Sequence, residues 1–202
     1  MRRTAEEAQQ TRETVFKAGL RVFSQRGFEG ATLADVAREA GVTRGAIYWH
    51  FRNKEAFFEE ILGRLERFYE DLLRVLSTGG EPDVETVCEA VRGIFQRFCT
   101  DSEYRAMQTL AIRSLLQSGP QTAGYSAISQ RIEADSKVIK RAGVDLRHLS
   151  RPHLPEPLVP LRAYLFGVFV VLAVRIESGG ALDPGELEPY LEFLRGALSK
   201  DS

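Results

Sequence analysis

Helical periodicity is the strongest constraint on what this chain can form. Apolar residues recur three and four positions apart along most of its 202 residues, and no useful length alternates apolar and polar residues as a half-buried strand would. One such stripe runs through Ile61, Leu65, Phe68, Leu72 and Leu76. Clusters of Gly and Pro separate the stripes, which predicts an all-α fold of about nine helices.

The two ends of the chain differ in charge. The whole sequence has 27 Lys and Arg against 28 Asp and Glu, a formal charge of −1 that by itself argues against nucleic-acid binding. Residues 1–54, however, carry ten basic and six acidic side chains, whereas residues 55–202 carry 17 and 22. We therefore predict a modestly basic N-terminal domain of residues 1–54 and a larger, acidic domain of residues 55–202.

Targeting and membrane signals are weak. The N-terminal residues include no apolar segment of the kind found in signal peptides. The most apolar uncharged run, residues 163–174, has twelve residues, fewer than the roughly 17 that a spanning helix needs. We therefore predict a cytoplasmic protein with no membrane partner, in which Cys88 and Cys99 are free thiols.

Side chains suited to catalysis are scattered along the sequence. His50, His148 and His153 have no partners at useful spacing, and the two Cys lie eleven positions apart on one predicted helix. That spacing separates them by about 16 Å along the helix axis, too far for a disulfide or a shared metal ion. No phosphate-binding glycine loop, nucleophile elbow or HExxH motif occurs. We predict no enzymatic activity, no catalytic residue, no metal site and no cofactor.

Three short helices are predicted within residues 11–51. The second spans residues 32–40, and Thr32 followed by Asp35 is a variant of the capping box that opens a helix. Gly41 ends this helix at a position where the chain must turn sharply and needs a positive φ.

The third short helix is predicted over residues 44–51, with Thr43 as its cap. Two short helices at this spacing form a helix-turn-helix, whose second helix places its N-terminal residues against base edges in the major groove. Arg44 at the tip has the geometry for a bidentate contact with guanine. The same spacing also arises by chance in helical domains that bind no DNA.

Helical rotation separates two faces of the third helix. With Ile47 and Phe51 facing inward, Gly45 and Trp49 lie on the opposite face and Tyr48 flanks them. Gly45 there allows a close approach of backbones. The side chains that can reach phosphates or a thymine methyl group are Tyr48, Trp49 and His50. Alternatively, the two aromatic residues belong to the core and His50 is an ordinary capping or core histidine.

Two further residues lie at predicted helix starts, where backbone N–H groups attract phosphate: Thr32 and Lys54. Lys54 follows Asn53, the predicted cap of the next helix. Because a cation opposes the helix dipole at this end, an external anion would explain Lys54.

Residues 42–54, Val-Thr-Arg-Gly-Ala-Ile-Tyr-Trp-His-Phe-Arg-Asn-Lys, resemble the DNA-binding signature of TetR-type transcriptional regulators. Residues 27–28, 32–37 and 40–41 are similar to the same domain, and the resemblance covers roughly residues 8–60. The string at residues 43–51 resembles the AcrR/TtgR-like subset that represses multidrug efflux pumps.

The resemblance implies a homodimeric repressor that binds a palindromic operator in double-stranded DNA and is released by a small-molecule effector. The DNA contacts that it implies are Thr32, Thr43, Arg44, Gly45, Ala46, Tyr48, Trp49, His50 and Lys54. A TetR-type regulator of a metabolic operon, for example of lipid or aromatic catabolism, is one alternative. A helical interaction module that binds no DNA is another.

The family places its dimer interface on the last two long helices, here predicted over residues 157–177 and 183–198. The first is apolar almost all round and must be covered on every side, and the second carries a leucine seam. The predicted interface residues are Leu165, Val168, Phe169, Leu172, Leu187, Leu191, Leu194 and Leu198. Alternatively, both helices complete a monomeric core.

An effector pocket is expected among the middle helices. The candidate lining residues are Val91, Phe95, Phe98, Met107, Leu110, Ala111, Ser114, Ile128, Ile132, Phe166 and Val170. Because few polar anchors accompany them, we expect a small apolar or aromatic effector. Any one of these residues is alternatively part of the core packing.

Overall fold

Helices make up the described part of the chain. The computed structural model describes residues 5–77, 83–117, 158–180 and 183–199. No strand occurs within these ranges, and the prediction of an all-α fold is confirmed. The helices are α1 (Ala5–Gly30), α2 (Leu33–Ala40), α3 (Arg44–His50), α4 (Lys54–Ser77), α5 (Val84–Thr100), α6 (Ser102–Gln117), α7 (Leu158–Glu177) and α8 (Glu188–Leu198), with a 3-10 turn at Pro184–Leu187.

The described residues fall into two compact units. The first contains the residues up to Leu65 together with those of α6 from Ala106 onward. The second contains Glu66–Arg105 together with α7 and α8. Helices α4 and α6 therefore each contribute residues to both units.

Aromatic rings form the core of the first unit. Phe57 of α4 stacks on Phe23 of α1 with ring centroids 5.0 Å apart, and it meets Phe51 edge-on at 4.8 Å. Phe28 packs against Phe58 at 4.8 Å. All five rings are almost completely buried. Because large buried rings remove much apolar surface from water, this cluster holds α1 and α4 together.

Helix α1 is longer than the sequence pattern predicts. It has 26 residues and begins at Ala5, so the prediction of a short first helix within residues 11–51 is wrong. Its first turns are polar, but Ala, Glu and Gln favour helix, and Glu6 and Glu7 lie at the end of the helix dipole that attracts anions. Gly27, with φ 71° and ψ 171°, interrupts the helix near its C-terminal end.

The second unit is built around α5. Phe95 and Phe98 of α5 contact Phe169 of α7 at centroid distances of 5.5 and 5.1 Å. Arg92 of α5 pairs with Glu188 of α8 at 2.7 Å. Helix α5 is therefore joined to α7 by an apolar core and to α8 by an ion pair.

The C-terminal helix is interrupted. The continuous helix predicted over residues 183–198 is wrong, because a 3-10 turn precedes α8. Asp183 caps that turn by accepting a hydrogen bond from Gly185 N at 2.9 Å. Pro189 lacks the N–H that would bond to the Gly185 carbonyl, so an unbroken α-helical ladder cannot pass this point.

Three further findings concern the described ranges only. No helix in them is long and apolar enough to cross a bilayer. No three of their His, Cys, Asp and Glu side chains lie together in a metal-binding arrangement. Cys88 is buried and Cys99 half-buried, and both are free thiols.

Candidate nucleic-acid interface

The start of α2 is built by Thr32 and Asp35. The Thr32 hydroxyl accepts from the backbone N–H of Asp35 at 3.2 Å and donates to the Asp35 carboxylate at 2.7 Å, so the predicted cap is confirmed. The hydrogen bond from Thr32, followed by the charges of Arg26 and Arg38, holds the pKa of Asp35 below its ordinary value. The side chain of Thr32 is exposed. Its two hydrogen bonds with Asp35 fix its orientation.

The turn between α2 and α3 has the geometry that the sequence predicts. Gly41 has φ 67°, in the left-handed region. Its N–H bonds to the Arg38 carbonyl at 3.3 Å, and the N–H of Val42 bonds to the Ala37 carbonyl at 3.0 Å. These bonds satisfy the carbonyl groups that would otherwise be unpaired at the end of α2. The turn therefore sets the direction in which the chain enters α3.

Thr43 caps α3 as predicted. Its hydroxyl accepts from the backbone N–H of Ala46 at 3.2 Å. The helix ends at His50 rather than Phe51, and Phe51 is its C-cap, with its N–H bonded to the Ile47 carbonyl at 2.8 Å. The capping geometry thus fixes both boundaries of a two-turn helix.

The two faces of α3 are divided as its periodicity predicts. Ile47 and Phe51 are buried in the first unit, whereas Tyr48 is 55% and Trp49 74% exposed. The alternative of two core aromatic residues is therefore wrong. His50 is half-buried, with its ring edge-on to Trp49 at 4.7 Å. Large aromatic side chains held outward on a short helix are available to contact another molecule.

The N-terminal tip of α3 is open. Arg44 is exposed, and in the described part of the chain its side chain forms no hydrogen bond or ion pair. A Cβ added at Gly45 would meet only the Thr43 hydroxyl oxygen, at 4.0 Å, so the packing of the protein itself does not require glycine there. Ala46 beside it is half-buried. The tip of α3 therefore presents the exposed guanidinium group of Arg44 beside the backbone of Gly45, which no side chain covers.

Lys54 has partners within the protein. Its ammonium group donates to the Glu29 carbonyl at 3.3 Å and lies 4.6 Å from the centre of the Phe28 ring. An external anion is therefore not needed to explain a cation at the start of α4. Asn53 caps α4 as predicted, accepting from Ala56 N at 2.7 Å.

The predicted pocket residues are distributed over both units. Those in the first unit are Met107, Leu110 and Ser114, which are buried, and Ala111, which is half-buried. Those in the second are Val91, Phe95 and Phe98, which are buried, and Phe166 and Val170, which are half-buried. Ile128 and Ile132 lie outside the described residues. A common pocket lined by these residues stays a prediction.

Most of the predicted interface residues are buried within the protomer. Leu165, Val168, Phe169, Leu172, Leu187, Leu191 and Leu194 are at most 7% exposed, and Leu198 is half-buried. Among the side chains that the structure describes on these helices, the large apolar ones that are exposed are Val171, Val174 and Phe193. Sequence reasoning missed the two valines because α7 is apolar on all sides, so its pattern does not indicate which face the protomer covers. Phe193 was missed because it lies outside the leucine seam of α8.

Residues 15–61 match the family model for bacterial regulatory proteins of the tetR family. TtgR of Pseudomonas putida, an HTH-type transcriptional regulator, is 47% identical over 83 residues, which cover 41% of this chain and 40% of TtgR. AcrR of Shigella flexneri, also an HTH-type transcriptional regulator, is 46% identical over 76 residues, which cover 34% of this chain and 35% of AcrR. The matched segments span at most about two fifths of the length of these curated relatives.

Two solved structures are similar over nearly the whole chain. NalD, the secondary repressor of the MexAB-OprM multidrug efflux pump in Pseudomonas aeruginosa, has a TM-score of 0.72 at 25% identity and covers 96% of this chain and 100% of its own. SmeT in its complex with triclosan has a TM-score of 0.73 at 25% identity, and the match covers 95% of this chain and 93% of SmeT.

The capped pair α2 and α3, with an outward-facing second helix, defines a helix-turn-helix protein of the all-α class. Residues 15–61, which contain this pair, are similar to the N-terminal domain of bacterial regulatory proteins of the tetR family.

Proposed function

We propose that this chain is a homodimeric transcriptional repressor that reads operator DNA with α3 and is released by a small effector. The observation that carries the proposal is the outer surface of α3, where Arg44, Tyr48 and Trp49 are exposed on a helix whose two ends are capped. The relatives TtgR and AcrR are HTH-type transcriptional regulators, which supports the same function.

Each residue of this surface has a chemical role in the proposed complex. Arg44 donates two hydrogen bonds to guanine in the major groove, and Gly45 allows the DNA backbone to approach. The positioning contacts to phosphates and to a thymine methyl group come from Thr32, Thr43, Ala46, Tyr48, Trp49, His50 and Lys54. To contact phosphate, the Lys54 ammonium group exchanges its contacts with the Glu29 carbonyl and the Phe28 ring for the DNA backbone.

The remainder of the chain completes the regulator. Residues 1–54 are the DNA-binding domain, and residues 55–202 bind the effector and a second protomer. Two protomers meet through the exposed apolar side chains of α7 and α8, Val171, Val174 and Phe193. Dimerisation places the two α3 helices in successive major grooves, about 34 Å apart. The protein acts in the cytoplasm and has no enzymatic activity.

The effector is a small apolar or aromatic molecule, and the regulated gene encodes a multidrug efflux pump. NalD represses such a pump and SmeT binds triclosan, and both are similar to this chain over almost its full length. Effector binding favours a dimer whose α3 helices no longer match the operator. A coupling free energy of about 1–3 kcal/mol is typical for linkage of this kind.

DNA binding is tested by selecting duplexes from a random pool and measuring their affinity by fluorescence anisotropy at several salt concentrations. Arg44→Ala should weaken binding by about 1–3 kcal/mol and relax specificity at one base pair. The matched control is Arg67→Ala, which removes the same charge from a position on α4 outside the proposed interface. If the wild type selects no sequence even at low salt, the interaction-module alternative replaces the repressor.

Effector release has a separate test. Triclosan is added to the complex of wild-type protein and selected duplex, and the fluorescence anisotropy of the duplex is followed. In a separate sample without DNA, the thermal midpoint of unfolding of the protein is measured with and without triclosan. We expect triclosan to raise the midpoint and to release the duplex. If it binds and the affinity for DNA is unchanged, this molecule is not an effector of the proposed kind.

A further inference from the structure

Helix α3 is too short to hold its own orientation. It has seven residues, fewer than an isolated helix needs to be stable in water, so contacts outside the helix must fix its axis. Its N-terminal end is fixed by the turn at Gly41 and by the Thr43 cap. The last carbonyl groups of a helix have no partners within it. A group that bonds to them fixes the other end together with the buried C-cap residue Phe51.

Arg12 of α1 makes that bond. Its Nη1 donates to the carbonyl oxygen of His50, the last residue of α3, at 3.3 Å. Its guanidinium also lies over the ring of Phe51, 4.9 Å from the centroid. A cation at the C-terminal end of a helix is favoured by the helix dipole as well as by the hydrogen bond. Arg12 therefore acts with the buried Phe51 ring to hold the end of α3 that the turn does not reach.

Arg12 is in turn held by α4. Its Nη2 donates to the Glu60 carboxylate at 2.8 Å, and the other oxygen of Glu60 accepts from Arg64 Nε at 3.2 Å. Arg64 also donates to both oxygens of Glu13, at 2.9 and 2.7 Å. Burial raises the pKa of Glu60, but the hydrogen bonds from the two arginines outweigh it and hold that pKa below its ordinary value. Glu60 is thus an ionised anchor for Arg12.

This arrangement joins three helices at one side chain. Arg12 lies on α1, its carboxylate anchor lies on α4, and the carbonyl that it contacts ends α3. We propose that Arg12 is a positioning residue for the recognition helix and sets the angle at which α3 meets DNA. Glu60 in turn fixes the position of the Arg12 side chain. The inference rests on the proposed reading of DNA by α3. Arg12 touches no nucleotide, and its loss leaves the contact side chains of α3 present but misaligned.

The test compares Arg12→Gln and Glu60→Gln with a matched control. Arg21→Gln is the control, because it makes the same change on the same helix and breaks a 2.9 Å ion pair with Glu39 of α2 without touching α3. Affinity is measured for the selected duplex, for its single-base variants and across salt concentrations. Trp49 is the only tryptophan and lies on α3, so its fluorescence anisotropy in the free protein reports the mobility of this helix.

We expect Arg12→Gln and Glu60→Gln to weaken binding roughly ten- to a hundred-fold, as the loss of a hydrogen bond to a charged group does. Discrimination among single-base variants should shrink, the salt dependence should stay as in the wild type, and the anisotropy of Trp49 should fall. The Arg21→Gln variant should match the wild type in all of these measurements.

Three outcomes overturn the inference. Affinity and Trp49 anisotropy equal to those of the control mean that Arg12 does not position α3. A salt slope reduced by about one in Arg12→Gln means that Arg12 contacts a phosphate directly. The third outcome applies if circular dichroism shows that Arg12→Gln does not fold. In that case Glu60→Gln tests the inference, and wild-type affinity in that variant overturns it. A wild type that binds no duplex instead removes the proposed function, and Trp49 anisotropy still decides whether Arg12 fixes α3.

Discussion

The ring of Phe57 lies directly against the backbone of Gly19. A Cβ added at Gly19 would stand 2.1 Å from Cζ of Phe57 and 2.5 Å from Cε2, far inside van der Waals contact. Phe57 is fully buried and also stacks on Phe23, so its ring has no room to retreat. The close approach of α1 and α4 in the first unit therefore requires glycine at this position.

Gly19→Ala should destabilise the protein. Forcing a methyl group into this contact should lower the free energy of unfolding by about 1–3 kcal/mol, as overpacking does elsewhere. The measurement is urea denaturation followed by circular dichroism. Gly63→Ala on α4 is the control, because nothing lies within 4 Å of its added Cβ, and it should raise stability by up to about 1 kcal/mol. Equal stability of both variants would mean that the Phe57 ring moves freely.

Gly45→Ala should change stability and DNA binding in opposite directions. Alanine favours helix over glycine by up to about 1 kcal/mol, and the space around Gly45 is open, so the free protein should become slightly more stable. In the proposed complex the added methyl group faces the DNA backbone, so the affinity for the selected duplex should fall. Thermal denaturation and fluorescence anisotropy give the two values.

The control for that pair of measurements is Gly93→Ala on α5, where the added Cβ also meets nothing within 4 Å. It should stabilise the protein without changing its affinity for DNA. If Gly45→Ala also leaves the affinity unchanged, the DNA backbone does not approach α3 at this point.

Local features were predictable from the sequence and long-range ones were not. The caps Thr32, Thr43 and Asn53 and the turn at Gly41 depend on residues at most four positions away, so their pattern identifies them. The partners of Lys54 and Arg12 lie 25 to 48 positions away in the sequence, and no periodicity indicates which side chain meets which carbonyl group.

The buried faces of the C-terminal helices could not be predicted from the sequence for a related reason. A helix that is polar on one side reveals its inner face, but α7 is apolar all round and gives no such signal. Only the packing of α5 against Phe169 shows which side the protomer covers. The sequence therefore predicts an interface on these two helices but does not indicate which of their faces is open to a second protomer.

Acid should weaken the junction between α1 and α4. The hydrogen bonds that Arg64 donates hold the pKa of Glu13 below its ordinary value of 4.5. A carboxyl group whose pKa is lowered by folding contributes its full stability above the unfolded pKa and loses it as the pH falls through the folded pKa. The wild type should therefore lose stability from about pH 4.5 downward, and Glu13→Gln should lose less.

Urea denaturation at a series of pH values measures this difference. Glu29→Gln is the control, because Glu29 is exposed and its carboxylate forms no ion pair within the described ranges. That variant should follow the wild-type pH dependence. A Glu13→Gln curve parallel to the wild type would mean that the Arg64 contact is lost in solution.

Neighbouring residues on α7 should respond to a charge in different ways. Val171 is 51% exposed and Leu172 is 2% exposed. In the proposed dimer Val171 faces the second protomer, so Val171→Glu should leave each protomer folded but separate the two. Leu172→Glu places an unpaired carboxylate in the core of the protomer and should unfold it, because burying an isolated charge is costly.

Sedimentation equilibrium and circular dichroism distinguish these effects. The wild type should sediment at twice the protomer mass of 22.7 kDa, and Val171→Glu at that mass with its helix content retained. Gln96→Glu, at an exposed position on α5, adds the same charge elsewhere and should remain dimeric. Because a monomer cannot hold two recognition helices at a fixed separation, Val171→Glu should also lose most of its affinity for a palindromic duplex. A Val171→Glu variant that stays dimeric would place the interface on another face of the protein.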